Sequence, residues 1–302
     1  MPEPSGVAEI IDKHLASFPK RRKEIEIGFF GGNFTGIPID KQEEYLAVAR
    51  PYLKDGKVHG IRLSTRPDYI NEQVIKLLKT YKVSTVELGA QSMVDEVLLK
   101  SCRGHTVADT VKASQMIKAA RIKLGLQMMI GLPGDTAEYD LETAAAITDL
   151  EADDARIYPT LVIKGTALEK SFYDGNYHPL SMEEAIKRSA SVFKVLEQGS
   201  VNVIKMGLHP AEGFLSGEEL VAGPFHEAFR ELVMTEIWSE ELAPLRKESD
   251  NKKLEILVAP KQFNFAIGHA AKNKKALLKL YDTVVFYCDE NLEKREYNAH
   301  TY

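Results

Sequence analysis

The stretch EIEIGFFGGNFTGIP carries an alternating apolar run into a double glycine, Gly31-Gly32, then Asn33 and a hydroxyl-bearing turn. Glycine tolerates positive φ and lets a ligand come close to the backbone. The turn is therefore either a tight strand-to-helix connection or a place where backbone groups meet a polar ligand. Other apolar runs also end in small or polar groups: Ser64-Thr65-Arg66, Gly89-Ala90-Gln91 and Gly131-Leu132-Pro133, with Tyr158-Pro159 after a fifth. Arg66 is held extended by Pro67, and its guanidinium suits a carboxylate or phosphate fork or a local pair with Asp68. Glu87 lies within an apolar run, where a carboxylate is costly unless paired. Gln91 both donates and accepts, which suits a ribose or an amino-acid group. Gln127 is the polar group of an otherwise apolar strand, which points it to an interior or a mouth. Cys102 has no base in sight and reads as structural. Arg103 and His105 either line a mouth or face solvent, and Tyr158 reads as a core aromatic.

The elements that must position these groups follow from periodicity. Apolar spacing predicts helices over residues 7–18, 40–53, 70–81, 106–120, 139–150 and 182–198, with Asp40, Thr106 and Ser181 as caps. Alternation or continuous apolar runs predict strands over 24–30, 58–64, 84–89, 124–131, 155–163 and 201–206. Repeated strand–helix alternation with short connections argues for βα units and a parallel sheet. Such folds gather ligands at the carboxyl ends of the strands, where the polar groups above stand. After residue 207 the pattern changes. Residues 208–302 read as a smaller α+β extension set beside a barrel of residues 1–207, with strands over 254–259 and 283–287.

Composition narrows the function. The 302 residues are 44% hydrophobic, enough for one large barrel-like domain or a domain with a smaller companion. A net charge of −5 argues against a mainly electrostatic nucleic-acid binder while leaving room for a local basic patch. Lys20-Arg21-Arg22-Lys23 and the cluster Lys272, Lys274, Lys275 are such runs, either phosphate contacts or solvated surface. No apolar run reaches membrane-span length, and the N-terminus lacks a signal-peptide core, so the expected location is cytoplasmic. Two cysteines, Cys102 and Cys288, exclude a disulfide framework and a cysteine-only metal site built from this sequence.

In order, the motifs GFFGGNFTGIP, IRLSTRPDYI, VELGAQSMVDEVL, RGHT, MIGLPGDT, IYPTLVIKGTALE and GLHPAEGFLSGEELVAGPFHEAFRELV resemble the radical S-adenosylmethionine enzymes. The branch is that of the Elongator catalytic subunit, with the oxygen-independent coproporphyrinogen oxidases as relatives. The resemblance runs from about residue 4 to about residue 280. It implies an α/β fold, a partial (β/α)6 TIM-like barrel, with S-adenosylmethionine across the strand ends on the unique iron of a [4Fe–4S] cluster. Reductive cleavage would give a 5′-deoxyadenosyl radical that takes hydrogen from a substrate, with a reductant protein as partner. Carried over by motif, Gly31, Gly32 and Asn33 would meet the methionine amino group. Gln91 and Arg103 would meet the ribose and the methionine carboxylate, Gln127 would lie near the ribose, and Gly131, Leu132 and Pro133 would lie by the adenine. Ser64 stands where many relatives place an acidic contact, and Glu87 matches the acidic residue of its strand with no role assigned. Transfer RNA is a partner by family analogy. The substrate is not implied.

The sequence departs from the family at one place. The resemblance calls for C-x3-C-x2-C after a first strand, ahead of the opening helix, and neither that strand nor those cysteines stands there. Three readings follow: a fragment of a radical enzyme, inactive as written; a degenerate homologue that binds a ligand or RNA without radical chemistry; and a non-radical barrel enzyme. The sequence-based expectation takes the first.

Overall fold

The computed structural model describes residues 3–18, 24–209, 212–247 and 252–302. Its first compact unit takes in residues up to Tyr158 together with Val195–Ile204. Strands β1 (Glu26–Phe29), β2 (Gly60–Thr65), β3 (Thr85–Gln91), β4 (Lys123–Ile130) and β5 (Asp154–Pro159) lie side by side in chain order, and the strand Asn202–Met206 follows β5. The pairs β1–β2, β2–β3 and β3–β4 are parallel, the βα arrangement that the alternation predicts. Helices α1 (Pro4–Ser17), α2 (Ile39–Lys54), α3 (Glu72–Thr80), α4 (Asp95–Lys100), α5 (Val107–Ala119) and α6 (Ala137–Asp149) fall between or before the strands.

Strand alternation divides the residues between two faces. Ile61 and Leu63, Val86 and Leu88, Leu124 and Leu126 are fully buried, as are Leu46 and Ala49 of α2, Leu78 of α3, Ile117 of α5 and Ala144 and Ile147 of α6. These apolar groups form the layer between sheet and helices. The opposite face receives Glu26, Arg62, Ser64, Glu87, Gln127, Asp154 and Arg156, and its chemistry is described below. β1 stands at the edge of the sheet.

Helix ends are set by local chemistry. Thr106 caps α5 in a reciprocal box with Asp109, Ser181 accepts from Glu184 N–H at 3.2 Å, and Asn71 and Thr136 cap α3 and α6. Asp40 is a correction. Pro38 holds the cap position of α2, and Asp40 falls in its first turn, where a carboxylate faces the positive end of the helix dipole. The continuous strand expected over 155–163 is divided: β5 ends at Pro159, and Val162–Ile163 pairs antiparallel with Leu220–Ala222. Proline lacks the N–H that would continue the ladder.

The second unit comprises Pro159–Lys194 and the residues from Lys205 on. Its three-stranded sheet has Lys253–Val258 at the centre, Thr283–Cys288 parallel to it and Tyr297–Thr301 antiparallel. Trp238, Leu254, Ile256, Leu277 and Phe286 form its core, and Trp238 Nε1 donates to Gln262 Oε1 at 3.1 Å. The closing strand Tyr297–Thr301 was absent from the sequence-based expectation, because YNAHT lacks an apolar alternation. The run Lys20–Lys23 lies outside the described residues. No described helix is long and apolar enough to cross a membrane.

Candidate functional site

Deep on the polar face of the sheet lies a layer of charge. Glu87 is 1% exposed and is gripped from two strands. Arg62 Nη1 donates to its Oε1 at 2.8 Å, while Arg156 donates from Nε to Oε2 at 2.5 Å and from Nη2 to Oε1 at 2.9 Å. Arg62 also reaches Asp154 at 2.8 Å and Glu26 at 3.0 Å. Gly125 makes the space, since a Cβ there would sit 2.8 Å from Glu87 Cγ. Burial pushes the Glu87 carboxyl up, but the hydrogen bonds from Arg156 and Arg62 outweigh it and hold the carboxyl below its ordinary value. The same pairs raise both guanidiniums against the lowering effect of burial.

Above this layer Gln127 Nε2 donates to Ser64 Oγ at 3.0 Å and lies 3.2 Å from Glu87 Oε2. Tyr158 is not the core aromatic that was expected. It shares this polar face, and its hydroxyl accepts from Arg156 Nη1 at 3.4 Å. The ring of Phe30 folds back over Gly28, whose Cβ would lie 2.5 Å from it, and sits 5.2 Å from the Arg156 guanidinium.

At the strand ends three loops are tied together. Asn33 Oδ1 accepts from Thr65 Oγ1 at 2.5 Å and from Arg66 N–H at 3.2 Å, which fastens the double-glycine turn to the end of β2. Arg66 Nη2 donates to the Gly104 carbonyl at 3.1 Å, and His105 Nε2 lies 3.1 Å from the Ala90 carbonyl, next to Gln91. Arg66 otherwise pairs with Asp68 at 2.7 Å, so of its two readings the local pair is present. Gln91 is buried with φ +67, a left-handed conformation unusual for a non-glycine residue. Gly131, after β4, has φ +74, and its N–H donates to Asp135 Oδ2 at 2.7 Å, with Leu132 buried and Pro133 half-buried beside it.

Two features of this mouth lack internal partners. Nothing lies within 4 Å of a Cβ built on Gly31 or Gly32, and Gly31 has φ +104. Arg103 has no carboxylate partner among the described residues: its Nε is buried without a hydrogen bond, as is His105 Nδ1. Burial and the neighbouring Arg66 charge both lower the Arg103 guanidinium from its ordinary value.

Sequence reasoning singled out the mouth residues and Glu87, but it missed Glu26, Arg62, Asp154 and Arg156. A signal was there: DARIY sets Asp154 and Arg156 two apart, and Arg62 in IRL and Glu26 in IEI each stand between apolar neighbours, which aims the charge at the polar face of a strand. Cys102 and Cys288 are both exposed, and no group of three His, Cys, Asp or Glu residues able to hold a metal exists among the described residues.

Two family models match: one described as the Radical SAM superfamily over residues 3–147, and one described as the Radical_SAM C-terminal domain over residues 152–239. The chain belongs to the radical SAM superfamily. Among curated relatives, it is 40% identical over 184 residues to the tRNA uridine(34) acetyltransferase of Methanocaldococcus jannaschii, covering 54% of this chain and 34% of that protein. It is 31% identical over 193 residues to human Elongator complex protein 3, covering 57% of this chain and 35% of that one. The chain thus spans about a third of the length of these relatives. Among solved structures, archaeal Methanocaldococcus infernus Elp3 with an N-terminal deletion superposes with a TM-score of 0.66 at 27% identity, covering 78% of this chain and 58% of that one. Streptococcus suis SuiB bound to S-adenosylmethionine shares the fold, with a TM-score of 0.52 at 11% identity, covering 72% of this chain and 46% of that one.

The two family cofactors fare differently against the residues present. The open double-glycine backbone, the unpartnered Arg103 and the buried Gln91 fit S-adenosylmethionine, which carries a carboxylate, an ammonium group and a ribose. A [4Fe–4S] cluster needs several closely spaced thiolates. The two cysteines here stand far apart in sequence and do not fit it.

Proposed function

We propose that the mouth of this sheet binds S-adenosylmethionine as the radical S-adenosylmethionine module of an RNA-modifying enzyme. Arg103 carries the reading. A half-buried guanidinium beside a second guanidinium, without an acidic partner, is a costly arrangement that an incoming carboxylate relieves. In this reading Arg103 receives the methionine carboxylate, and the Gly31–Gly32 backbone receives the amino group with Asn33 holding the turn in place. Gln91 meets the ribose. Gln127 and Ser64 form the polar bed beneath it, and Gly131 to Pro133 flank the adenine. Glu87 acts from below by orienting Gln127. Reductive cleavage needs cluster thiolates that this sequence does not supply, so these 302 residues are assigned recognition and positioning, with no radical activity of their own. The RNA part rests on relatives named for transfer RNA modification.

Calorimetric titration of S-adenosylmethionine into the chain is the test. Heat of binding that disappears in Arg103→Ala supports the assignment. Equal binding by that variant removes Arg103 from the site, and no binding by the native chain sinks the reading for this polypeptide.

A further inference from the structure

The opposite end of the same sheet, where the strands begin, is divided by charge. Helices α2 and α3 each close with a lysine in the last turn, Lys54 and Lys79, and the turns that follow add Lys57 and Lys82. After α5 come Arg121 and Lys123, and Arg50 stands on α2 beside Lys54. All seven are exposed. None makes an ion pair with a described residue, although Arg50 lies 5.6 Å from the Tyr81 ring and Lys57 5.6 Å from the Tyr52 ring. Elsewhere some exposed lysines are paired, as Lys41 with Glu44, Lys100 with Glu96, Lys187 with Glu183 and Lys253 with Glu255. Others, such as Lys112, Lys164 and Lys170, are not, so what sets the rim apart is the clustering of its cations at one end of the sheet. Arg50, Lys54 and Lys82 rim one hollow, with Asp55 as its acidic residue, and Lys76 and Lys79 rim another, between α3 and α5, with Glu72 as its acidic residue, so cations outnumber carboxylates in both.

A helix dipole favours one cation in each last turn. It does not account for the second cation in each turn. Nor does it hold at the next turn along: α6 has no basic residue in its last turn, and Glu151 and Asp153 follow it. Lys82 and Arg121 also take left-handed φ values of +55 and +60, where glycine is favoured. The bare dipole argument therefore leaves this clustering of unneutralised charge over β1–β4 unexplained, in a chain whose net charge is −5.

We infer that this basic rim is a docking surface for the sugar–phosphate backbone of a folded RNA. Unpaired cations in register along successive turns match a polyanion, and binding would release its counterions. None of the exposed large apolar side chains falls on this surface, which argues against a membrane-inserting role. The inference rests on the RNA reading above and adds the surface that holds the RNA. A six- to eight-residue strand spans about 20–27 Å, so a folded RNA larger than that can touch the rim and still reach the mouth.

Fluorescence anisotropy of the full chain with a labelled RNA hairpin, across a series of KCl concentrations, tests this. The variant carrying Lys54→Ala, Lys79→Ala, Lys82→Ala and Arg121→Ala keeps the native melting temperature and binds S-adenosylmethionine as the native chain does. Its RNA affinity falls, and the slope of log K against log salt shrinks by about 3, near one phosphate contact per cation removed. Unchanged affinity and slope in that variant, with loss of RNA binding in Arg103→Ala, would put the RNA at the mouth and overturn the rim while leaving the functional reading intact. No RNA binding by the native chain even at low salt overturns both the rim and the RNA part of that reading. Sedimentation with phosphatidylserine vesicles, without RNA binding, also overturns the rim as an RNA surface.

Discussion

Glu87 and Arg103 are both charged side chains withdrawn from water in the same unit, yet their surroundings are opposite. Glu87 lies in the middle of β3 with two guanidiniums on its oxygens. Arg103 lies in a loop at the mouth with a guanidinium for a neighbour and an orphaned Nε. The first arrangement is complete without a ligand. The second leaves a buried Nε without a hydrogen bond. Satisfied buried charge contributes to holding the sheet together, and unsatisfied charge makes the mouth the candidate site.

The strongest way to break this contrast is to unpair the floor. Glu87→Gln leaves Arg62 and Arg156 buried without their shared carboxylate, and the expected loss is about 3–5 kcal/mol, read from urea denaturation. A loss well under 1 kcal/mol would show that the floor does not carry stability. The same carboxylate sets an acid limb. Its folded pKa is depressed, so its contribution is full above the ordinary carboxylate range and fades as pH falls through the lower folded value. The native chain should lose stability on that descent, and Glu87→Gln should lose less. Parallel acid profiles for the two would assign the limb to other groups.

At the mouth the order of effects reverses. Arg103→Ala should weaken S-adenosylmethionine by about 10- to 100-fold, the scale of a charge-assisted hydrogen bond, while leaving thermal stability unchanged or slightly raised, because a repulsion with Arg66 is relieved. A large fall in melting temperature would make Arg103 a structural residue instead. Gly32→Ala is the finest probe. With ordinary φ and open space around its Cβ position, the change should stay within about 0.5 kcal/mol in stability. It should still reduce S-adenosylmethionine binding by placing a methyl group where the ligand approaches, and unaltered binding would move the ligand off this turn.

Much of this architecture was legible in advance. The alternation of periods gave the βα order, and the motifs Gly31-Gly32-Asn33, Ser64-Thr65-Arg66, Gly89-Ala90-Gln91 and Gly131-Leu132-Pro133 stand at strand ends as read. The misses share a cause. Asp40 was displaced from the cap because Pro38 already set the entry to the helix. The break at Pro159 followed from a change of sheet partner, and Tyr297–Thr301 exists because Lys253–Val258 offers it a ladder.

By itself the sequence determined what depends on neighbours a few residues apart: strand and helix periods, the cap at Thr106, the glycines that open the double-glycine turn, and a cysteine count too small for a cluster. Only the tertiary structure decided which distant charges meet. Arg62 reaches Asp154 and Arg156 reaches Glu87 across gaps of 92 and 69 residues. The polar face of each strand is readable locally. Its partner depends on strand order and register, which follow from packing of the whole sheet. For the same reason, the emptiness around Arg103 could not be read from RGHT alone, since a missing partner is a property of everything that folds near it.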